Sequence, residues 1–301
     1  MKTFDRRNFL KVSAAAGAIG VMSGLPAASA PKRMRIGVFL GVGKDPQMAL
    51  QKVHDLGIPT CQISTRDFSD ATLGTIRDTS RKLNIEITAL NTSGPGPQIY
   101  DFYQGPLTIG VVPAQYRRQR IEQIKKASDF ARKLGIPAIH THYGFIPEDP
   151  NNPVYKETLV ALSEVANYLK ANGQMMLYET GQETPITLLR AITDVGVDNQ
   201  FVNLDVANLI LYGKGHPLDA LDVIGKLVRG IHAKDGFFPT DPKKLGEEVP
   251  IGKGKVNFPK LIPRLKELGY TGPLTIEREI SGPRQIEDIQ KSKLYLEKLI
   301  A

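Results

Sequence analysis

The feature that most constrains the fold is a regular alternation of short apolar runs and amphipathic segments from Met34 to the end of the chain. The apolar runs stay apolar almost to their last residues, as expected for strands that are covered on both faces. The segments between them have helical spacing, and several end in a glycine just beyond the last apolar position, a common helix-ending signal. This alternation predicts an α/β fold with a parallel sheet.

Eight apolar runs are predicted as strands. They are Arg35–Leu40, Thr60–Ser64, Glu86–Leu90, Ala138–Tyr143, Met175–Glu179, Phe201–Leu204, Gly230–Ala233 and Leu274–Glu279. Eight strand–helix repeats in about 270 residues are typical of a (β/α)8 TIM barrel. A doubly wound open sheet is the alternative, but it usually has a glycine-rich turn after its first strand, which "GVFLGVGKDP" imitates only weakly. No linker divides residues 31–301, which are therefore predicted to form a single barrel domain.

The first 30 residues have the parts of a twin-arginine export signal. Arg6 and Arg7 precede a mildly apolar run, "VSAAAGAIGVMSGL", and the small residues "PAASA" follow it. The run is shorter than the roughly 20 apolar residues of a membrane span. The sequence thus predicts an exported, periplasmic protein without a membrane anchor. A chance pair of arginines before a loose N-terminal helix is the alternative.

The amino-acid composition limits the classes of binding partner and of covalent cross-link that the chain can have. The formal net charge of the whole chain is +8, of which residues 1–30 contribute +3, so residues 31–301 carry +5. This excess is modest and is not gathered into a run of Lys and Arg, which speaks against nucleic acid as a partner. The single cysteine, Cys61, excludes an intramolecular disulfide, so the domain depends on its hydrophobic core. Homo-oligomerisation stays open.

Two predicted connections are longer than a barrel requires. Residues 93–115 follow the third strand and residues 236–257 follow the seventh, so both leave the rim where barrel active sites lie. Long loops at this rim are often functional. Three aromatic residues of the first loop, Tyr100, Phe102 and Tyr103, are candidates to wall a pocket; ordinary packing on the rim is the alternative.

Four successive predicted strands end in an acidic residue or a histidine. They supply Glu179, Asp205, His232 and Glu277. Since the carboxyl ends of parallel barrel strands meet at one rim, these side chains are predicted to converge. Three carboxylates can be buried together only if a cation compensates them. The sequence therefore predicts a divalent metal site, in which the oxygen-rich set favours Mn2+ or Mg2+ and the imidazole leaves Zn2+ or Co2+ open.

Other polar residues near the strand ends are candidate substrate contacts. They are His142, Glu183, Asn208 and Lys234. An ion pair of Lys234 with Asp235 or Glu279 is an equally good interpretation. Glu279 is also a candidate to hold a metal ligand from behind. His140 is predicted to be structural, and His54 and His216 are predicted to lie on the surface.

The order Glu, Asp, His, Glu on the last four strands resembles the xylose isomerase-like superfamily, which includes sugar phosphate isomerases and epimerases and the endonuclease IV-like barrels of the AP endonuclease 2-like family. The segments that carry the resemblance are "YETGQETP", "NLDVANLILYGKGHP", "IHAKDG", "PIGKGKVNF" and "GYTGPLTIERE". The resemblance implies that Glu179, Asp205, His232 and Glu277 are metal ligands and that Glu179 and Glu277 also form an acid/base pair. Many epimerases have a substrate-binding histidine where this chain has Asn208, so a particular substrate does not carry over.

The leading hypothesis is a divalent-metal-dependent sugar isomerase or epimerase that removes the proton next to a sugar carbonyl and passes through an enediolate. Export favours free sugars or oxidised glycosides over phosphosugars, and it raises a second hypothesis, a periplasmic lyase that β-eliminates from a 3-keto-glycoside. A third hypothesis is a sugar-binding protein without catalysis, against which the intact Glu179 and Glu277 speak. A DNA-repair endonuclease is disfavoured, because that branch uses many more histidines than the five of this chain.

Overall fold

A computed structural model describes residues 33–301 of the chain. The predicted export signal, residues 1–30, lies outside the described residues. Within residues 33–301, no helix is both long enough and apolar enough to cross a membrane.

Eight parallel strands form a closed barrel, which confirms the predicted TIM-barrel fold. The barrel strands are β1 (Arg35–Gly41), β2 (Thr60–Ser64), β3 (Glu86–Asn91), β4 (Ala138–Thr141), β5 (Met175–Glu179), β6 (Gln200–Asp205), β7 (Val228–Ala233) and β10 (Pro273–Ile276). Each barrel strand pairs with the next one along the chain, and β10 closes the barrel by pairing with β1. Two short strands, β8 (Asp235–Gly236) and β9 (Glu248–Val249), form a separate antiparallel pair in the loop after β7.

The predicted strand bounds are wrong at the ends of β4 and β10. The sequence predicts strands that continue to Tyr143 and Glu279, whereas the strands end at Thr141 and Ile276. The backbone N–H of Glu277 still donates to the carbonyl of Ala233 at 3.1 Å. The first residue after β10 is therefore held against β7, although it is no longer part of the strand.

Helices cover the outside of the barrel. They are α1 (Pro46–Asp55), α2 (Asp70–Lys82), α4 (Ala114–Leu134), α5 (Pro153–Ala171), α6 (Pro185–Val195), α8 (Pro217–Ile224), α9 (Phe258–Glu267) and α10 (Pro283–Ile300). Two four-residue helices that the sequence did not predict, α3 (Gly105–Thr108) and α7 (Asn208–Leu211), lie in loops at the barrel mouth. Six of the covering helices, α1, α5, α6, α8, α9 and α10, have a proline in their first turn. Proline is tolerated there because the first N–H groups of a helix have no partner within it.

The interior of the barrel changes from apolar to polar towards the mouth. Ala89, Ala138 and Leu177 form a small buried cluster with Met175 and Phe201 packed against it. Because side chains alternate along a strand, Met175 and Leu177 lie on the same face of β5 as Glu179, the last residue of that strand. The larger core lies between the strands and the helices, so the inside of the mouth is free to carry polar groups.

Candidate active site

The structure brings the four predicted ligands together in one buried group. Glu179, Asp205, His232 and Glu277 each contribute one atom to a set whose members all lie within 4.8 Å of one another. The Nδ1 atom of His232 is 2.8 Å from Oε1 of Glu179 and 3.2 Å from Oε2 of Glu277. All four side chains are buried. Three carboxylates and one imidazole therefore form a candidate metal centre at the carboxyl ends of β5, β6 and β7 and just after β10.

Two buried polar atoms of this group have no hydrogen-bond partner of acceptable geometry within residues 33–301. They are Nδ1 of His232 and Oδ2 of Asp205. The other carboxylate oxygen of Asp205 accepts the backbone N–H groups of Ala207 and Asn208, at 2.9 and 2.8 Å, which fixes the carboxylate. Buried polar atoms without a partner are rare. A divalent cation would satisfy both atoms, so the donor set fits such an ion.

His232 is held from behind by two amides inside the barrel. The ring Nε2–H donates to Oε1 of Gln62 at 2.7 Å, and Nε2 of Gln62 donates to Oδ1 of Asn203 at 3.1 Å. The second bond fixes which end of the Gln62 amide faces the ring. Nε2 of His232 therefore carries a proton, and Nδ1 is the nitrogen that faces the carboxylates.

Two register shifts lie opposite these amides, where the pairing skips Thr88 of β3 and Arg229 of β7. The pairing register shifts between Cys61 and Gln62 and again between Val202 and Asn203. A bulge re-aims the side chains that follow it, and bulges are frequent beside active sites. Gly230 leaves room for the pair, because a Cβ at that position would lie 2.2 Å from Oδ1 of Asn203. The sequence shows Gln62 and Asn203 only as polar positions inside otherwise apolar runs, which does not predict that they contact each other.

Lys234 is the buried cation of the site. Its Nζ lies 3.0 Å from Oε1 of Glu279, 3.5 Å from Oε2 of Glu277 and 3.7 Å from Oδ2 of Asp205. It also donates to Oδ1 of Asn208 at 3.3 Å. The two residues predicted as substrate contacts, Lys234 and Asn208, thus touch each other and lie beside the candidate ligands.

The predicted ion pair of Lys234 forms with Glu279 and not with Asp235. The carboxylate of Asp235 instead accepts four backbone N–H groups at 2.9 to 3.1 Å, those of Gly236, Gly252, Gly254 and Val256. These bonds tie the long loop after β7 to the rim. The aspartate therefore shapes the site through the backbone of this loop.

Two histidines from the end of β4 extend the group. Nδ1 of His140 lies 3.3 Å from Oε2 of Glu179, and Nε2 of His142 lies 3.6 Å from the same oxygen. His142, predicted as a substrate contact, is part-buried at the mouth and lies 3.0 Å from the side-chain oxygen of Gln182. His140 was predicted to be structural, yet together with Glu179 and His232 it forms a second group able to hold a metal ion.

Glu183, predicted as a substrate contact, belongs to neither of these two groups. Its side chain is buried, and burial raises the pKa of its carboxyl to about 8. Within residues 33–301, Glu183 takes part in no ion pair. Of the two predicted surface histidines, His54 is exposed, whereas His216 is half-buried and accepts the N–H of Leu218 at the start of α8.

Opposing effects set the charges of the ligand group. Burial would raise the pKa of Glu179, but the neighbouring imidazoles outweigh it and hold this pKa well below its usual range. Burial would also raise the pKa of Glu277, but Lys234 and His232 outweigh this effect and lower the pKa. For Asp205 the effect of burial is the larger one, and it raises the pKa well above its usual value. Burial would lower the pKa of His232, but Glu179 and Glu277 outweigh it and raise this pKa. A bound cation would favour the deprotonated forms of Asp205 and His232.

The loop after β3 supplies part of the wall of the mouth. The ring of Tyr100 lies 5.5 Å from the ring of His142, and Phe102 lies 6.4 Å from Tyr212, both measured between ring centroids. Tyr103, the third predicted wall residue, is 59% exposed. The buried guanidinium of Arg120 holds this loop by donating to the carbonyls of Pro95, Pro97 and Gly110 at 3.1, 2.9 and 2.6 Å, respectively.

Comparison with known proteins identifies the family. A family profile described as "Xylose isomerase-like TIM barrel" matches residues 50–299. The structure is similar to the crystal structure of a xylose isomerase domain protein from Planctomyces limnophilus, with 34% sequence identity and a TM-score of 0.84. That match covers 89% of this chain and 97% of the other.

Two further similarities are more distant. The chain is 28% identical to an L-ribulose-5-phosphate 3-epimerase of Escherichia coli over 54% of its own length. It spans between 56% and 63% of the length of the first curated relatives that it matches. A xylose isomerase-like TIM barrel protein from Mycobacterium smegmatis, crystallised in complex with magnesium, has 17% identity and a TM-score of 0.67 over 89% of this chain and 96% of the other, which shows a shared fold.

Proposed function

The chain belongs to the xylose isomerase-like TIM barrel family, and from this premise we propose that it is a sugar epimerase or isomerase that removes the proton next to a sugar carbonyl. The observation that carries this proposal is the convergence of Glu179, Asp205, His232 and Glu277 at the mouth of the barrel. The epimerase activity of the Escherichia coli relative supports a small carbohydrate as the substrate.

We propose that the same four residues hold a divalent cation. When bound, such an ion polarises the carbonyl and stabilises negative charge on the neighbouring oxygens. The three carboxylates favour Mn2+ or Mg2+, and the magnesium complex of the Mycobacterium smegmatis protein is consistent with this choice. Zn2+ and Co2+ remain compatible with the imidazole ligand.

Glu179 and Glu277 are the proposed acid/base pair. They come from β5 and from the residue after β10, with β6 and β7 between those strands in the barrel, so they approach the site from two sides. A substrate between them would lose a proton to one carboxylate and receive one on its opposite face from the other. This transfer inverts the carbon next to the carbonyl, which is an epimerisation; return of the proton to the adjacent carbon is an isomerisation.

Lys234, Asn208 and His142 are the proposed substrate contacts. The ammonium group of Lys234 is fully buried beside Glu277, where it can stabilise the negative oxygen of an enediolate. Asn208 accepts a hydrogen bond from Lys234 through Oδ1, which leaves its amide N–H groups to bind a sugar hydroxyl. We further propose, from the sequence of residues 1–30, that the protein meets its substrate in the periplasm.

The proposal is tested by solvent deuterium exchange into D-fructose and other free ketoses, followed by mass spectrometry and NMR. The purified full-length protein should place deuterium at the carbon next to the carbonyl. Glu179→Gln and Glu277→Gln should each lower the exchange rate at least 100-fold, the range that a general acid or base contributes. The matched control is Glu287→Gln on the exposed surface of α10, which should exchange at the wild-type rate.

Product analysis separates the competing functions. An epimerase or isomerase conserves the mass of the sugar, whereas a lyase acting on a 3-keto-glycoside releases the substituent. Exchange that is unaffected in both variants would refute the acid/base assignment. Tight sugar binding without any exchange would instead indicate a non-catalytic binding protein.

A further inference from the structure

A cavity of about 430 Å³ lies at the carboxyl ends of β1, β2 and β3. This volume falls in the range of pockets that bind small molecules. Its lining comes from the last residues of these strands and from the loops that follow them, and includes Gly41, Ser64, Arg66, Asn91 and Ser93. The mechanism proposed above uses none of these residues.

The cavity opens into the same mouth as the candidate metal centre. The ring of Phe39 lies 5.6 Å from that of His140 and 5.3 Å from that of His232, so Phe39 faces the inside of the barrel. Gly41 follows two residues later on the same face of β1, and it is paired with Ser64 of β2. The inward face of these strand ends therefore forms the side of the mouth opposite β5 and β6.

One contact links the cavity to the acid/base pair. Nδ2 of Asn91, which lines the cavity, lies 3.3 Å from Nδ1 of His140, and this nitrogen lies 3.3 Å from Oε2 of Glu179. The side chain of His140 thus joins Asn91 in the cavity lining to the proposed acid/base residue Glu179.

The lining carries one side chain of each charge. Arg66 makes no ion pair within residues 33–301, but the carboxylate of Asp67 stands beside it in the lining. Asp67 accepts the N–H of Ser69 at 2.9 Å and the hydroxyl of Thr72, and these bonds lower its pKa and keep it ionised. The N-terminus of α2 is already capped by Ser69, so it is not available to a phosphate group.

We propose that this cavity binds a second, uncharged sugar unit, so that the substrate is a glycosylated ketose or keto-glycoside and not a single monosaccharide. The lining offers the hydroxyls of Ser64 and Ser93, the amide of Asn91 and the guanidinium of Arg66, a set of hydrogen-bond donors and acceptors that suits the hydroxyls of a sugar ring. This inference deepens the proposed function and rests on it for the position of the reacting ring.

The test compares the dissociation constants of free D-fructose, D-fructose 6-phosphate and four glucosyl-fructoses linked through O3, O4, O5 or O6, measured by calorimetry on the full-length protein. At least one disaccharide should bind about ten-fold more tightly than fructose, a gain of about 1.4 kcal/mol. Ser64→Trp and Ser93→Trp, two separate ways to fill the cavity, should remove this advantage. The matched control is Ser163→Trp on the outer helix α5, which should retain it.

The outcomes separate the two proposals. Equal dissociation constants for fructose and all four disaccharides would refute the proposal that the cavity binds a second sugar. The proposed function would then be tested by deuterium exchange alone. Preferred binding of fructose 6-phosphate that depends on Arg66 would overturn it in favour of a phosphate site. Preferred disaccharide binding that both cavity-filling variants abolish, in the absence of any exchange, would support the cavity and refute the proposed catalysis.

Discussion

The mouth of the barrel has two sides of opposite electrostatic character. The side formed by β4 to β7 and β10 buries three carboxylates, a lysine and two histidines in mutual contact. The side formed by β1 to β3 carries hydroxyls, an amide, and one arginine beside one aspartate at its exposed edge. Buried charges require partners at fixed distances, whereas exposed polar groups are satisfied by water. The first side is therefore constrained by electrostatics, and the second is free to adapt to the shape of a ligand.

The largest expected effect is the loss of the buried cation from the charged side. Lys234→Met leaves Asp205 and Glu277 without their ammonium partner, and breaking a buried pair in this way typically costs about 3–5 kcal/mol. Urea unfolding of metal-free protein should show this loss. The control, Lys170→Met, breaks an exposed pair with Asp198 and should cost about 1 kcal/mol or less. Similar losses of unfolding free energy in both variants would contradict the claim that one side of the mouth depends on buried charge pairs.

A pH-dependent effect is expected at Glu183, which follows β5 on the charged side. Burial raises the pKa of its carboxyl from 4.5 to about 8, so the folded protein holds this proton more tightly than the unfolded chain. Stability attributable to the proton is present below pH 4.5 and is lost as the pH rises towards 8, at about 1.4 kcal/mol for each pKa unit.

Glu183→Gln removes this titration. The variant should match the wild type at pH 4.5 and be more stable by a few kcal/mol at pH 9, as measured by urea unfolding across that range. Glu287→Gln, on the exposed surface of α10, is the control and should leave the pH profile unchanged within about 0.5 kcal/mol. A variant profile parallel to that of the wild type would show that Glu183 is ionised in the folded protein.

A smaller effect is expected from the amides behind His232. Gln62→Leu removes the acceptor that fixes the ring, and the loss of such an outer contact typically weakens metal affinity about 10- to 100-fold. Competition with a chelator measures this change, and 15N NMR of histidine-labelled, metal-free protein reports the protonation of the ring nitrogens independently of activity. Gln200→Leu removes another buried glutamine, which bonds to Tyr178, and should leave the metal affinity unchanged. An equal loss in both variants would indicate general destabilisation.

The smallest effect is expected on the neutral side. Arg66→Ala should change the free energy of unfolding by no more than about 0.5 kcal/mol, because the side chain is exposed and makes no ion pair within residues 33–301. Thermal or urea unfolding beside Arg81→Ala, an exposed arginine of α2, provides the comparison. A loss of several kcal/mol would show that this side also depends on charge.

The fold and the convergence of the four candidate ligands were predictable for one physical reason. Parallel strands of a barrel deliver their last residues to one rim, so acidic residues and a histidine at successive strand ends must meet. Glu179 and Asp205 are the last residues of their strands, and the structure places them with His232 and Glu277 as the sequence predicts. The strict order of strand and helix made this inference independent of any exact strand boundary.

The surroundings of the ligands were not predictable, because they depend on departures from regular geometry. Gln62 contacts His232, and Asn203 contacts Gln62, beside register shifts in β3 and β7 that the alternation of residues does not indicate. Two interactions depend on the path of a long loop. They are the ion pair between Lys234 and Glu279 and the hydrogen bonds that backbone N–H groups donate to Asp235. The cavity beside β1 to β3 is formed by three loops at once, and sequence patterns describe each loop only separately.

The prolines at the start of six covering helices have a consequence for how such a molecule can diversify. A helix that opens on proline resists growth backwards, since its ring disfavours a helical conformation in the preceding residue. Insertions and deletions between strand and helix are thus confined to the mouth and do not slide the helix along the barrel wall. New ligand preferences can then arise by exchanging rim segments while the buried carboxylates keep their places.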